Sequence, residues 1–553
     1  RVHRFLRETL PARRILDTAP LTISAWEVPD EPVPFAEAVG QEYTPINVGD
    51  RWGRPWSTLW LHVTGTVPQA WSTGDDRDVE LQLDLSFTNS PGFQAEALIW
   101  TPEGETIKAI NPLNQYLTLE PGQDVDLYLE LAANPSVSGN WVFAPTHLGD
   151  KATAGEDPIY DLTQLRLVWR SKDIWELEQD VRALFELMAA LPEETTRRQD
   201  ILRTLEDALD VADPDDLHAT APAAREVLRR ELDKPANASA MTVVATGHAH
   251  IDSAWLWPVR ETIRKCARTF SNVCWLLERY DDLNFSCSSA QQYEWIRDFY
   301  PGLFERIKGH VKNGRFIPVG GMWVESDTNM PGSEAMARQF IHGKSFFMNE
   351  LGVETRETWL PDSFGYSAAL PQICAAANNT HFLTQKVSWN QYSTFPHHTF
   401  SWEGLDGTTQ FTHFPPADTY NGMLSAAELL RVEQNFKDKG RSHYGLTPTG
   451  WGDGGGGPTR EHIASAKRFK NLEGTPKVEW ASPTEFFEKA QAEYGEHLPR
   501  WNGELYLELH RGTYSSQIPG KQGNRRSEAL MHDVELWCAT AARLDPSFTY
   551  PAE

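Results

Sequence analysis

From residue 57 to about 170, apolar positions recur at every second residue. Val79, Leu81, Leu83, Leu85 and Phe87 alternate with polar neighbours, and Val125, Leu127, Leu129 and Leu131 do the same. A period of two puts one set of side chains on one face of a strand. Pro, Gly, Asn and Asp turns separate the runs, so the pattern predicts antiparallel strands with one wet face, a β-sandwich over residues 1–170. The segment DKATAGEDP, Asp150 to Pro158, reads as a loop. The period then lengthens. Leu177, Val181, Leu184, Met188 and Leu191 have helical spacing, as do Ile201, Leu205 and Leu209. Asp213-Pro214-Asp215-Asp216 interrupts that run and is expected to cap a further helix ending near Leu232. Residues 171–240 are therefore a helical linker, closing with the polar stretch Asp233 to Ser239.

From Met241 to about Ala490, short apolar runs alternate with helical patterns across Gly and Pro turns, the mark of an α/β domain with a parallel sheet. Val243-Val244-Ala245 reads as a strand buried on both faces, and the chain turns helical through Arg260, Glu261, Ile263 and Arg264. Arg525 to Ala542 reads as a helix with Leu530, Val534, Leu536 and Cys538 as apolar positions. No closing element follows in LDPSFTYPAE, and no internal repeat is visible. The fold class is a multidomain α and β chain.

Composition narrows the class. At 553 residues the chain can bury several cores, and 40% hydrophobic with 23% charged residues is a soluble globular mixture. No apolar run is long enough to span a membrane, and the opening RVHRFLRETLPARR lacks the apolar core of a signal peptide. A net charge of −26 argues against nucleic acid or an anionic membrane as partner. The five cysteines, Cys266, Cys274, Cys287, Cys374 and Cys538, lack CxxC spacing. They fit buried thiols in a reducing, cytoplasmic setting. The 21 tryptophans suit either sandwich cores or stacking on sugar rings.

Four stretches carry candidate chemistry. The first is Thr246-Gly247-His248-Ala249-His250-Ile251-Asp252-Ser253-Ala254-Trp255, just after the apolar strand. Alternate residues share a face, so His248, His250 and Asp252 can offer imidazole and carboxylate ligands to a divalent metal such as zinc, with Trp255 as a flat apolar surface beside them. In TWLPDSFGY, Asp362 follows a strand end, where α/β sites assemble, although taken alone a helix-capping role is the more natural one. In GWGDGGGGP, Asp453 is the sole acid in a loop whose glycines permit close backbone approach; the GK[ST] of a phosphate loop is absent. In LYLELHRG, Leu505, Leu507 and Leu509 alternate as in a strand, with His510 and Arg511 at its end. Trp323, Glu325, Asp327, Lys386 and Tyr420 lie near further strand ends.

GHAHIDSAWLWP, GGMWVESDTNMPGSE, TWLPDSFGYSAALPQI, GWGDGGGGPT and LELHRGTYSSQ occur in this order. The set resembles glycoside hydrolase family 38, the retaining, zinc-dependent α-mannosidases, in the branch of the cytosolic and vacuolar enzymes. The resemblance implies a (β/α)7-like barrel catalytic domain over 241–503 and the start of a helical bundle domain over 504–553. It implies Zn2+ as cofactor, bound by His250, Asp252 and Asp362, with His248 outside the ligand set. Asp362 matches the family's nucleophile, and Asp453 is the candidate general acid/base. Trp255, Phe364 and Tyr420 match residues that contact the sugar. The substrate would be an α-mannoside oligosaccharide. A fourth ligand, a His followed by Asp, is expected beyond the last residue; His532-Asp533 matches an earlier family segment. The sequence therefore reads as an amino-terminal part of a longer enzyme. A homo-oligomer is compatible with it. Another zinc hydrolase of deacetylase type, or a non-catalytic carbohydrate-binding fragment, are the competing readings.

Overall fold

A computed structural model describes residues 1–88, 92, 94–136 and 152–552. The chain divides into two compact units, one of residues 1–287, 291–318 and 415–497, the other of residues 288–290, 319–414 and 498–553.

The first unit opens with two antiparallel sheets. One has the order Ile15–Pro20, Gln164–Ser171, Arg77–Asp84, Tyr116–Leu119; the other runs Thr44–Pro45, Thr22–Glu27, Thr58–Thr66, Asp124–Ala132, Glu96–Trp100, Thr106–Ile110. Their inward residues form a single core. Val79, Leu81 and Leu83 of one sheet share it with Leu127, Leu129 and Leu131 of the other, as the period of two predicts. Strands begin earlier than expected, at Ile15. Of the expected loop, residues 150 and 151 lie outside the described residues, and 152–158 form turns and bends.

Three helices follow, Lys172–Ala190, Thr196–Val211 and Leu217–Leu232, at the places the helical spacing predicts. Ser171 and Thr195 cap the first two through side-chain oxygens. Asp216 stands at the third N-cap but makes no side-chain cap bond. The Asp213 carboxylate instead accepts from the Asp215 backbone N–H (2.9 Å), which turns the chain before the helix starts.

The parallel sheet of this unit is centred on strand Thr242–His248. Tyr444–Thr449 pairs with one edge. Lys477–Trp480 pairs with the first half of the other edge and Phe285–Cys287 with its last two residues, and Phe316–Pro318 extends the sheet. Val243, Val244 and Ala245 are fully buried, as a parallel strand covered on both faces requires. Helix Val259–Leu277 is buried almost throughout, charged residues included. Its cations meet sandwich carboxylates: Arg264 lies 2.8 Å from Glu130, Arg268 lies 2.7 Å from Glu96, and Lys265 pairs with Glu96 as well. Burial without such partners would cost several kcal/mol per ion, on the order given by desolvation.

The second unit holds a five-stranded sheet in the order Glu357–Trp359, His381–Leu383, Thr409–His413, Thr399–Glu403, Arg500–Asn502. The first three strands are parallel, and Thr399–Glu403 runs antiparallel to its neighbour. Its core includes Phe340, Tyr366, Phe382, Phe400 and Trp402. Among the described residues, the α/β region contains one five-stranded sheet in each unit. The expected strand Leu505–Leu509 is a single bridge, Tyr366 to Leu505. Beyond it, Glu508 directs its hydrogen bonds to a loop. Its carboxylate accepts from the N–H groups of Tyr392 and Ser393 (2.9 and 2.8 Å), and its own N–H donates to Asn390 (2.8 Å). The terminal helix, Ile518–Leu544, starts seven residues earlier than the apolar spacing marks. No described helix is long and apolar enough to cross a membrane.

Candidate active site

In the first unit, strands Thr242–His248 and Tyr444–Thr449 are parallel, with Gly247 opposite Thr449. The segments that follow them therefore leave the sheet at the same, carboxyl, edge, where sites of α/β folds assemble. His248 is the last strand residue. It is fully buried, and its Nδ1 lies 3.0 Å from the Ser286 carbonyl oxygen, a structural contact with the neighbouring strand. His250 and Asp252 lie just beyond, with Nε2 and Oδ1 3.3 Å apart. His250 is buried and Asp252 half-buried.

Asp453 follows the partner strand on the glycine loop. The loop is tethered at its neck by reciprocal backbone bonds between Trp451 and Gly457 (2.9 and 2.8 Å), so it is an ordered turn and not a linker. Gly450 has φ +128°, and a Cβ there would stand 2.6 Å from the Pro458 nitrogen. A Cβ on Gly452 would stand 2.6 Å from Tyr420, so glycine is what lets the loop reach that ring. The Tyr420 hydroxyl donates to Asp453 Oδ1 (2.8 Å), the Asn421 amide donates to Oδ2 (3.2 Å), and the Asp453 N–H donates to the Asn421 oxygen (2.8 Å). Both carboxyl oxygens are thereby fixed. The Tyr420 ring also lies 5.1 Å from His250, centroid to centroid. His250, Asp252, Tyr420 and Asp453 thus form one continuous polar group within this unit. Trp255 is 44% exposed, and its ring meets that of Trp257 edge-on at 5.9 Å.

Asn421 did not emerge from the sequence. It sits beside Tyr420 in DTYNG, and the signal was Gly422. That glycine bonds both ways to the end of strand Tyr444–Thr449, Gly422 N–H to Pro448 O and Gly450 N–H to Gly422 O (both 2.9 Å). Its missing side chain permits the approach, since a Cβ would lie 2.4 Å from the Pro448 oxygen.

In the second unit, register explains the pairing around Asp362. Trp359 is opposite Leu383 in two parallel strands. Asp362 and Lys386 each come three residues later, so they emerge side by side. Lys386 Nζ donates to Asp362 Oδ1 at 2.5 Å, and it lies 3.7 Å from the Trp389 ring centre and 5.4 Å from that of Phe364. Lys386 is buried and its partner half-buried. The capping alternative for Asp362 does not hold, because the next helix starts only at Leu370. The ring of Phe364 lies 4.9 Å from that of His510. Burial holds the His510 imidazole below its ordinary pKa, and the Lys386 charge adds to this. The turn after Asp362 is fixed by Gly365 at φ +97° and by the Tyr366 hydroxyl, which lies 2.8 Å from the Leu360 carbonyl. Glu325 and Asp327 act structurally: Glu325 pairs with Ser288, and Asp327 accepts from the N–H groups of Asn329 and Met330 (2.7 and 3.0 Å). His532 and Asp533 are exposed side by side on the terminal helix.

An imidazole nitrogen and a carboxylate oxygen converging within hydrogen-bond range form a donor pair suited to zinc. The two aspartates, each locked by neighbours, are suited to acid/base and nucleophilic work.

Residues 240–504 match the model of the glycosyl hydrolases family 38 N-terminal domain, and residues 19–168 match that of an alpha-mannosidase jelly roll domain. Alpha-mannosidase 2C1 of Mus musculus is 38% identical over 98% of this chain and 51% of its own length. Alpha-mannosidase G of Dictyostelium discoideum is 34% identical over 97% and 49%, and an alpha-mannosidase of Saccharomyces cerevisiae 32% over 93% and 48%. The chain spans about half the length of the curated relatives it matches. With two domain models matched in order and near-complete alignment of the chain to such relatives, residues 240–504 are a glycosyl hydrolases family 38 N-terminal domain, preceded by a jelly roll domain like that of alpha-mannosidases.

Proposed function

We propose that this chain carries the catalytic half of a zinc-dependent, retaining α-mannosidase that removes terminal α-linked mannose from oligosaccharides. The observation that carries the reading is Asp453, with both oxygens bracketed by Tyr420 and Asn421 beside the His250–Asp252 pair. His250, Asp252 and Asp362 would hold the metal. A bound divalent ion would orient vicinal sugar hydroxyls and favour ionised carboxylates near it.

The remaining steps belong to the side chains. The Asp362 carboxylate attacks the anomeric carbon while the glycosidic C–O bond breaks, and Asp453 gives its proton to the leaving oxygen. Water then attacks the anomeric carbon, Asp453 takes its proton, and the bond to Asp362 is released. Lys386, hydrogen-bonded to Asp362, positions the nucleophile. A hydroxyl donates or accepts, so Tyr420 suits both protonation states through which Asp453 cycles. Trp255 and Phe364 supply apolar surfaces for the sugar ring. The domain limits read from the sequence, 1–170, 171–240, 241–503 and 504–553, are part of this reading. So is a reducing, cytoplasmic setting, which all five cysteines, free thiols, support.

The test uses the full-length protein and an aryl α-mannoside. Wild type is expected to release the aryl group, a chelator to abolish release, and Asp362→Ala to leave no turnover. A fluorinated mannoside is expected to leave a sugar adduct on Asp362, which a hydrolase working through metal-activated water would not form. Turnover surviving in Asp362→Ala would sink the assignment.

A further inference from the structure

Away from these residues, the first unit contains a cavity of about 460 Å³ between the sandwich, the helix Lys172–Ala190 and the helix that follows the glycine loop. That volume falls within the ~300–1,000 Å³ of small-molecule sites. Three of the residues lining it carry buried polar atoms that have no hydrogen-bond partner among the described residues: Tyr116 Oη, Trp175 Nε1 and His462 Nε2. These residues are 4%, 8% and 2% exposed. Buried polar atoms usually have partners; other described residues also carry such atoms, and what sets these three apart is that their residues line one cavity. Two of them can only donate. The indole has no acceptor, and the Thr459 N–H bonds to His462 Nδ1 at 3.1 Å, which leaves the proton of the neutral ring on Nε2.

The charges on the wall decide what kind of occupant fits. Four arginines line the cavity, but each faces a carboxylate. Arg14 and Arg182 share Glu178 (3.2 and 3.0 Å), Arg460 holds Glu80 (2.6 Å), and Arg468 holds Asp180 (2.6 Å). Among the described residues of the wall, no cation is left over for an anion. Glu186, also on the wall, adds an oxygen acceptor, and Gln82, Gln115 and Gln179 add amides that both donate and accept. Burial raises the Glu186 carboxyl above its ordinary pKa. Hydroxyl groups complement such a wall, because each can accept from an N–H and donate to a carbonyl or carboxyl oxygen.

We propose that this cavity is a second binding site, separate from the residues of the proposed chemistry, for a neutral oligosaccharide. Trp451 lines it from the neck of the glycine loop, two residues before Asp453, and its ring meets the edge of His462 at 6.2 Å. Occupancy therefore presses on the segment that carries Asp453.

The test takes the full-length protein bearing Asp362→Ala, so that no probe is hydrolysed, and titrates it with α-mannotriose and with cellotriose, which contains no α-mannoside. Both are expected to bind saturably, with sugar density in the cavity of a soaked crystal. The pair Tyr116→Phe and Trp175→Phe removes two hydrogen-bonding atoms while keeping a ring at each position. It is expected to weaken cellotriose by about thirtyfold, two hydrogen bonds at roughly 1 kcal/mol each. Cellotriose affinity unchanged by the pair, a cavity that holds ordered water only after soaking, or inorganic phosphate bound there in preference to the sugars would each overturn the proposal. Failure of this site leaves the assignment of Asp362 and Asp453 intact.

Discussion

At the scale of single residues, the geometry around Asp453 turns on Asn421. That amide both accepts from the Asp453 backbone and donates to its side chain (2.8 and 3.2 Å). Asn421→Ala is expected to lower kcat on an aryl mannoside by about 100-fold with little change in KM, since ångström-scale misplacement of a catalytic group costs on that order. Steady-state kinetics of the full-length protein, with circular dichroism to verify folding, check this; a change confined to KM would place Asn421 in substrate binding instead. Asp362 and Asp453 are held by different chemistry. A lysine braces the first, two neutral donors the second.

At the scale of elements, the sandwich is joined to the helix after the glycine loop through buried ions. Glu80, fully buried on its strand, accepts from Arg460 and pairs with Arg170, each at 2.6 Å. Burial alone would raise its pKa; the two guanidinium groups outweigh that and hold it at about 2. Its contribution to stability is complete above about 4.5 and is lost as pH falls from there toward 2. Glu80→Gln removes a counter-charge shared by two buried arginines, leaving Arg170 with Asp78 and Arg460 with Glu461, and is expected to cost about 3 kcal/mol, read as a lower urea midpoint at pH 7. His462, on the same helix, behaves in the same direction by another cause. Burial holds it neutral, with its pKa lowered from 6.5 to about 4. The unfolded chain takes up that proton between 6.5 and 4, so stability falls as pH falls through this window. In His462→Gln that part of the acid loss is expected to vanish, and urea midpoints at about pH 7 and pH 4.5 should lie closer together than in wild type.

At the scale of the whole molecule, the terminal helix Ile518–Leu544 stands out. It is held to residues 330–338 of its own unit by polar groups, Glu528 to Gly332 (3.5 Å) and Glu535 to Arg338 (2.6 Å). Its apolar side chains face outward instead: Leu530, Leu536 and Trp537 are 63%, 52% and 66% exposed. Exposed apolar surface of this kind marks an interaction face or an association liability. The isolated 553-residue chain is expected to associate with rising concentration, and Leu530→Lys with Trp537→Lys to suppress this in light scattering. A chain that stays monomeric without the substitutions would contradict it.

Much of this architecture is legible in the amino-acid sequence alone. The sandwich strands and the three linker helices follow from their periods, because burying one face of a strand or a helix imposes spacings of about two and 3.6 on apolar residues. The same logic fails at Leu505–Leu509, where the alternation is real but Glu508 bonds to loop amides in place of a ladder. It also fails at the terminal helix, whose apolar positions are exposed. The motifs single out His250, Asp252, Asp362 and Asp453, since each lies a few residues past a strand and carries a reactive group. Only tertiary structure supplies their neighbours. Lys386 meets Asp362 through the register of two parallel strands, and Asn421 meets Asp453 through a glycine that lets two backbones touch. Tyr116, Trp175 and His462 come together on one cavity wall from three distant parts of the chain. Local pattern records what a residue buries; its partners across long sequence separations are fixed by packing, which no local pattern encodes.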